Sequence, residues 1–222
     1  MLRTTLVSST VAVLLFVASV SANVIEPRAG TLQCGTPLVA SALTQLSRST
    51  GSKRPVAFQT AKDSKGRLQL STSVNGVAAP TTPTFEFVPC HSEPLASGTG
   101  TYQEASGAYI AYTYGILRPA NQSSQCVTAS SLATDGKNYP LVSAPCTTVD
   151  SYATLAPQWW SAYYNATYSK GMRYTLYFEG NTSKPGLWHL NNVASNNNRL
   201  VEVNYQAQFN DNEPFTLSMT GA

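Results

Sequence analysis

Charge is scarce in this chain: Asp, Glu, Lys and Arg make up 11% of its 222 residues, with 14 Lys and Arg against 11 Asp and Glu. So even a balance, with no Lys/Arg stripe, removes the electrostatic case for a nucleic-acid partner. Only His91 and His189 could assist a metal, and no Cys-x-x-Cys spacing accompanies them, so no zinc site, metal or cofactor is expected. The motifs that cradle phosphate or present a nucleophile, G-x-x-x-x-G-K, G-x-S-x-G and H-E-x-x-H, are absent. Nothing in the order of Glu86, Glu179 and Glu202 places two carboxylates at the separation that glycoside hydrolysis needs. The expectation is a chain that is not an enzyme. No amphipathic helix of three turns can be found after the N-terminal segment, and no later run is apolar for long enough to span a membrane.

What is present begins with an address. Arg3 precedes the apolar run Val11 to Val20, and Val20-Ser21-Ala22 puts small residues where cleavage occurs, so residues 1–22 read as a secretory signal peptide. The mature part, 23–222, is long enough for one all-β domain with its own core, and loses only Arg3, which takes the formal charge from +3 to +2. Cys34, Cys90, Cys126 and Cys146 suit an oxidising, extracellular location and allow three pairings. Asn121, Asn165 and Asn181 each open an N-x-[S/T] triplet, a glycan acceptor expected on exposed loops.

Short β-type runs separated by polar turns fill the rest. They include Val56-Ala-Phe58, Leu68-Gln-Leu70, Phe85 to Cys90, Tyr109 to Leu117, Met172 to Phe178, Leu187 to Leu190, Leu200 to Val203 and Pro214 to Leu217. Asp63 to Gly66 and Asp135-Gly136 are turns, and Lys53-Arg54-Pro55, Val77 to Thr84 and Asn191 to Asn198 read as loops. Leu38 to Leu46 fits a strand or a helical turn equally well. A chain written this way indicates a β-sandwich or a barrel.

The most patterned stretch runs from Ser124 to Trp160. Cys126-Val127 and Leu141-Val142 flank the Asp135-Gly136 turn, Pro145-Cys146 follows, and Gln158-Trp159-Trp160 closes the unit. This stretch resembles one repeat of the ricin B-chain-like lectins, whose β-trefoil repeats carry a cysteine, a glycine turn, Pro-Cys and a Q-x-W. The resemblance implies three copies of one β unit, over roughly 31–100, 101–161 and 162–222, closing a barrel with a hairpin cap. It implies a Cys126–Cys146 disulfide, with Cys34–Cys90 as the other. Tyr112-Thr113 recurs as Tyr174-Thr175, and Leu141 to Cys146 aligns with Phe85 to Cys90 and with Leu200 to Tyr205. Leu68 to Leu70 aligns with Cys126 to Thr128. A β-sandwich is the alternative.

Trp160 takes the place of the Trp in Q-x-W, which in that family packs in the shared core, while Trp159 suits the core or a sugar platform. The family's sugar pocket uses an Asp, a Gln and an aromatic ring. Carried over, those places are Thr128, Val142 and Ala144 in the second copy, Leu70, Glu86 and Val88 in the first, and Leu190, Val201 and Val203 in the third. No copy keeps all three chemistries, and a hydroxyl-rich ligand needs a fixed carboxylate or amide beside an apolar plane. The resemblance therefore implies a non-catalytic binding scaffold whose site lies elsewhere. Tyr139, Trp188, His189, Asn191 and Asn192 combine rings and amides around turns and are the candidate carbohydrate-binding residues; packing within a barrel would use the same residues. Tyr163, Tyr164 and Tyr168 form a second cluster. The expected partners are glycans or a glycoprotein. A protein-binding trefoil, such as a protease inhibitor or secreted effector, is the alternative, although loops 74–84 and 150–157 offer no Arg or Lys for a trypsin-like target. The tyrosine content also permits a structural wall or coat protein.

Overall fold

A computed structural model describes residues 30–80, 83–167, 171–181, 187–195, 198–206 and 214–221; the expected signal peptide and Tyr168 lie outside them. The architecture is all-β. Val39–Ala42 (β1) and Thr44–Ser47 (β2) are followed by Ala57–Lys62 (β3), Leu68–Val74 (β4) and Thr84–His91 (β5). Tyr109–Pro119 (β6), Gln125–Ala129 (β7), Asn138–Pro145 (β8) and Trp160–Asn165 (β9) make up the middle of the chain. Arg173–Phe178 (β10), Leu187–Ser195 (β11), Asn198–Gln206 (β12) and Phe215–Thr220 (β13) complete it. The one α-helix among the described residues, Tyr152–Leu155, is a single turn that runs into a 3-10 turn at Ala156–Gln158.

Two sets of pairings organise these strands. In the first, β1 pairs with β5, β5 with β6, β6 with β9, β9 with β10, β10 with β13, and β13 with β2, every pair antiparallel. Leu43 alone separates β1 from β2, so the path returns to its starting strand and forms a ring. In the second set, β3–β4, β7–β8 and β11–β12 are hairpins. The three hairpins meet one another: β8 pairs with β12, β12 with β4, and Val142 of β8 with Gln69 of β4.

The alternation along β6 shows how sequence sets this arrangement. Ala111, Thr113, Gly115 and Leu117 are buried while Ile110, Tyr112 and Tyr114 between them are part-exposed, the period of two that a strand imposes. Leu117 of that inward set packs with residues of β1, β5, β9, β10 and β13 and of all three hairpins in one core, which includes Phe85, Trp160, Leu176, Leu70, Leu141 and Val203. Outward, the tyrosines form their own layer: Tyr112 stacks on Tyr163 at 5.5 Å between centroids, and Tyr163 meets Tyr177 edge-on at 5.2 Å. A second cluster lies outside the ring, where Val88, Ile116 and Cys126 meet Leu155 and Trp159 under the helical turns.

The disulfides are Cys34–Cys90 and Cys126–Cys146. The first ties the short strand Gln33–Cys34 to its partner β5, and the second joins β7 to the residue just past β8. Closing these loops stabilises the fold by about 4 and about 3 kcal/mol respectively in the chain-entropy account. No helix among the described residues is long and apolar enough to cross a membrane.

Several expectations need correction. Phe85 to Cys90 lies in ring strand β5, whereas Leu141 to Cys146 lies in the hairpin arm β8 and just past it, so the two segments do not occupy corresponding places. Leu68–Leu70 opens the second arm of its hairpin, while Cys126–Thr128 lies in the first arm of another. The repeat boundary expected at 161 and 162 falls inside β9. Lys53–Pro55 is a strand paired with β2 rather than a loop, because the ring offers β2 a free backbone edge there. Asn191 and Asn192 continue strand β11, whose pairing with β12 runs on to Ser195 opposite Asn198. Cross-strand hydrogen bonding overrides the weak β-propensity of the asparagines.

Candidate functional site

The five residues expected to contact sugar do not form one surface. Trp188 is 5% exposed and sits in the core, edge-on to Phe178 at 5.9 Å and to Tyr205 at 5.3 Å. His189 is 2% exposed, and neither ring nitrogen has a partner among the described residues. Tyr139 donates its hydroxyl to both oxygens of Asp135 at 2.9 Å and so braces the hairpin turn, where Lys137 also pairs with Asp135 at 3.1 Å. Asn191 donates to Asn138 Oδ1 at 3.1 Å. In the second cluster, Tyr163 faces outward, and Tyr164 packs at 5.0 Å on Tyr174, a residue of the inner core.

Asn192 is different. Successive residues of β11 face opposite ways, so Asn192 shares the inward face of Trp188 and Leu190 while His189 and Asn191 take the other. Near the end of the strand that face opens into a cavity of about 210 Å3, which Asn192 lines together with Gln45, Ser47, Arg54, Arg199 and Phe215. Gln45 is 2% exposed, and its Oε1 accepts from Asn192 Nδ2 at 2.7 Å; the same Nδ2 donates to Thr72 Oγ1 at 3.2 Å. That contact spends one atom of each amide. Gln45 Nε2 and Asn192 Oδ1 are buried without a partner. Turning both amides end for end changes which residue donates, but leaves one donor and one acceptor unspent.

Register explains why these side chains converge. Gln45 stands opposite Arg54 across the β2 pairing, and directly opposed residues share a face. Asn192 stands opposite Val201, and Arg199, two residues before Val201, is on that same face. Ser47 is two residues beyond Gln45, and Phe215 pairs directly with it. A buried donor and acceptor left open cost about 1–3 kcal/mol each. A hydroxyl, which both donates and accepts, has the chemistry that such a pair lacks.

Sequence reasoning found Asn192 alone of this group. Gln45 lies in the stretch that fitted a strand or a helical turn, and its place beside Asn192 depends on a contact across 147 positions. No local pattern carries that signal.

The residues weighed for other roles are accounted for within the fold. Trp160 is fully buried and donates from Nε1 to Val127 O at 3.3 Å; Trp159 is also fully buried and donates to Ala96 O at 2.8 Å. Gln158 holds the chain beyond Cys146, accepting from Thr147 N at 3.0 Å and donating to Pro145 O at 2.8 Å. Asn121 is exposed, and Asn165 ends β9 with its Oδ1 accepting from Thr167 N at 2.9 Å; of the third triplet, only Asn181 lies within the described residues. Among those residues no three His, Cys, Asp or Glu side chains gather as a metal would require.

The three glutamates sit on separate elements. Glu86 on β5 pairs with Arg118 on β6 at 3.0 Å, Glu179 follows β10 and accepts from the Ser161 hydroxyl, and Glu202 on β12 is 8% exposed. Burial raises the pKa of Glu202 and of Glu179 above the ordinary 4.5, and lowers that of His189 below 6.5. These shifts have consequences for stability. Between 4.5 and the raised value, folded Glu202 holds a proton that the unfolded chain has released, so stability falls as pH rises through that window. For His189 the unfolded chain takes up the proton first, so stability falls as pH drops below 6.5. Glu202→Gln therefore gains on the wild type as pH rises from about 4 to about 8, as read from urea midpoints at each pH. A gap that stays constant or narrows would remove burial as the cause.

No protein-family model and no curated protein matches this chain.

Proposed function

We propose that the chain is a secreted, non-catalytic binding module with a β-trefoil fold resembling the ricin B-type lectins, and that it recognises carbohydrate through the Gln45–Asn192 cavity. The ring of six strand positions, with the three hairpins inserted between β2 and β5, β6 and β9, and β10 and β13, supports the trefoil reading. Two disulfides fit an oxidising compartment, which agrees with secretion after removal of residues 1–22. The observation that carries the functional reading is the buried amide pair with one donor and one acceptor unspent. Phe215 at the cavity wall supplies the apolar plane that the usual pocket positions lack.

A glycan array probed with the disulfide-intact protein tests this reading. Wild type is expected to retain a subset of glycans, and Gln45→Leu to lose them by at least about tenfold in affinity while keeping the wild-type thermal midpoint. Leucine fills much of the same buried volume but offers no polar atom. Retention of nothing at high micromolar concentration, or unchanged binding by Gln45→Leu, would reject the site. Capture of a protein ligand that competes with no glycan would favour the protein-binding alternative.

A further inference from the structure

We propose that the cavity selects saccharides carrying a carboxylate, of the uronic-acid class; this rests on the carbohydrate reading of the same cavity. Arg54 and Arg199 both line it, and no Asp or Glu among the described residues does. The ion pairs among the described residues are Arg67–Asp63, Arg118–Glu86 and Lys137–Asp135, so neither cavity arginine has an acidic partner among those residues. Arg67 and Arg118 are neutralised within the fold, whereas Arg54 and Arg199 line one cavity together.

Their placement follows from pairing rather than from chance at the surface. Arg54 stands directly across from Gln45, and Arg199 diagonally from Asn192, so each arginine shares a strand face and the cavity lining with one of the two unspent amides. A bound sugar is then met twice. One of its hydroxyls satisfies Gln45 Nε2 and Asn192 Oδ1 on the buried side, while a group at the outer side meets two guanidinium forks. A carboxylate suits a fork because its two oxygens accept two parallel N–H donors in one plane, and such charge-assisted bonds are roughly twice as strong as neutral ones. Binding an anion also relieves the repulsion of two like charges facing one space. At about 210 Å3 the cavity lies below the range typical of drug-sized ligands, which limits it to a single sugar unit of a chain.

Trigalacturonate, its fully methyl-esterified counterpart and a sulfated galactan trisaccharide are suitable probes, titrated calorimetrically against the disulfide-intact protein. The acid is expected to bind about tenfold tighter than the ester at low ionic strength, and to lose most of that advantage at about 1 M salt, where screening acts within roughly 3 Å. Arg54→Gln and Arg199→Gln should each weaken the acid by about tenfold and leave the ester unchanged, with thermal midpoints held at the wild-type value. Equal affinity for acid and ester overturns the inference and leaves carbohydrate binding standing. Preference for the sulfated probe overturns the carboxylate assignment. Failure of all three probes, together with an empty glycan array, overturns the carbohydrate reading itself.

Discussion

Trp160→Ala is expected to lower the unfolding free energy by about 3–5 kcal/mol, the largest loss of any single side-chain truncation proposed for this chain. Trp160 has no exposed surface, and its ring meets Phe178 edge-on at 5.0 Å in the middle of the core. Its register places Gly115 on one side and Phe178 on the other, so the indole spans three ring strands. The Nε1–H reaches Val127 O at 3.3 Å, which ties the ring to the β7–β8 hairpin. Truncation removes the area, leaves a cavity bounded by paired backbone that cannot close in, and strands the Val127 carbonyl. In a domain of this size each kcal/mol moves the thermal midpoint by about 2–4 °C, so the drop should be roughly 6–20 °C. Trp160→Phe keeps an aromatic ring in the core but removes the donor and part of the buried volume, and should fall between wild type and Trp160→Ala. Were Trp160→Ala to melt with the wild type and yet lose glycan binding, the indole would be a sugar platform and not a core residue.

The Cys126–Cys146 tie was legible because its parts act locally. Gln158 bonds to residues on either side of Cys146, only a dozen positions away, and the adjacent disulfide closes the same stretch. A pattern confined to one unit of chain can be read from that unit. The failed alignment of Phe85 to Cys90 with Leu141 to Cys146 shows where this stops. Both segments are alternating runs ending in Pro-Cys, and both lead into a disulfide; the shared text records a tied strand end. It carries no information on which strand lies alongside, and one segment proves to belong to the ring and the other to a hairpin. The cavity was less legible still. Gln45, Arg54, Asn192 and Arg199 come from opposite ends of the chain and meet only because β13 returns to β2 and the hairpin β11–β12 packs beside them. Polar residues in such positions look like surface or loop until the pairings are known.

Gly115→Ala is the second substitution expected to be severe, although it adds a single methyl group. Gly115 lies in β6 with Pro89 of β5 opposite on one side and Trp160 of β9 opposite on the other. A Cβ built there lands on the carbonyl oxygen of Val88, with the Val88 carbonyl carbon at 2.8 Å and Pro89 Cα at 2.9 Å. These are backbone atoms of a paired strand, so no rotamer change can make room. Either β5 and β6 separate locally and give up cross-strand hydrogen bonds, or β5 shifts as a whole against the disulfide that anchors Cys90. Overpacking of side chains costs about 1–3 kcal/mol, and a clash with fixed backbone should lie at or beyond the top of that range, a fall of roughly 6 °C or more in thermal midpoint. Gly35→Ala is the matched control on the neighbouring segment: its added Cβ would meet nothing closer than Pro89 O at 3.9 Å, an ordinary contact. The control is expected to melt within about 2 °C of the wild type, in keeping with a change of a few tenths of a kcal/mol. If Gly115→Ala melts there as well, β5 and β6 do not approach as closely as the ring requires, and the pairing on which the core rests must be redrawn.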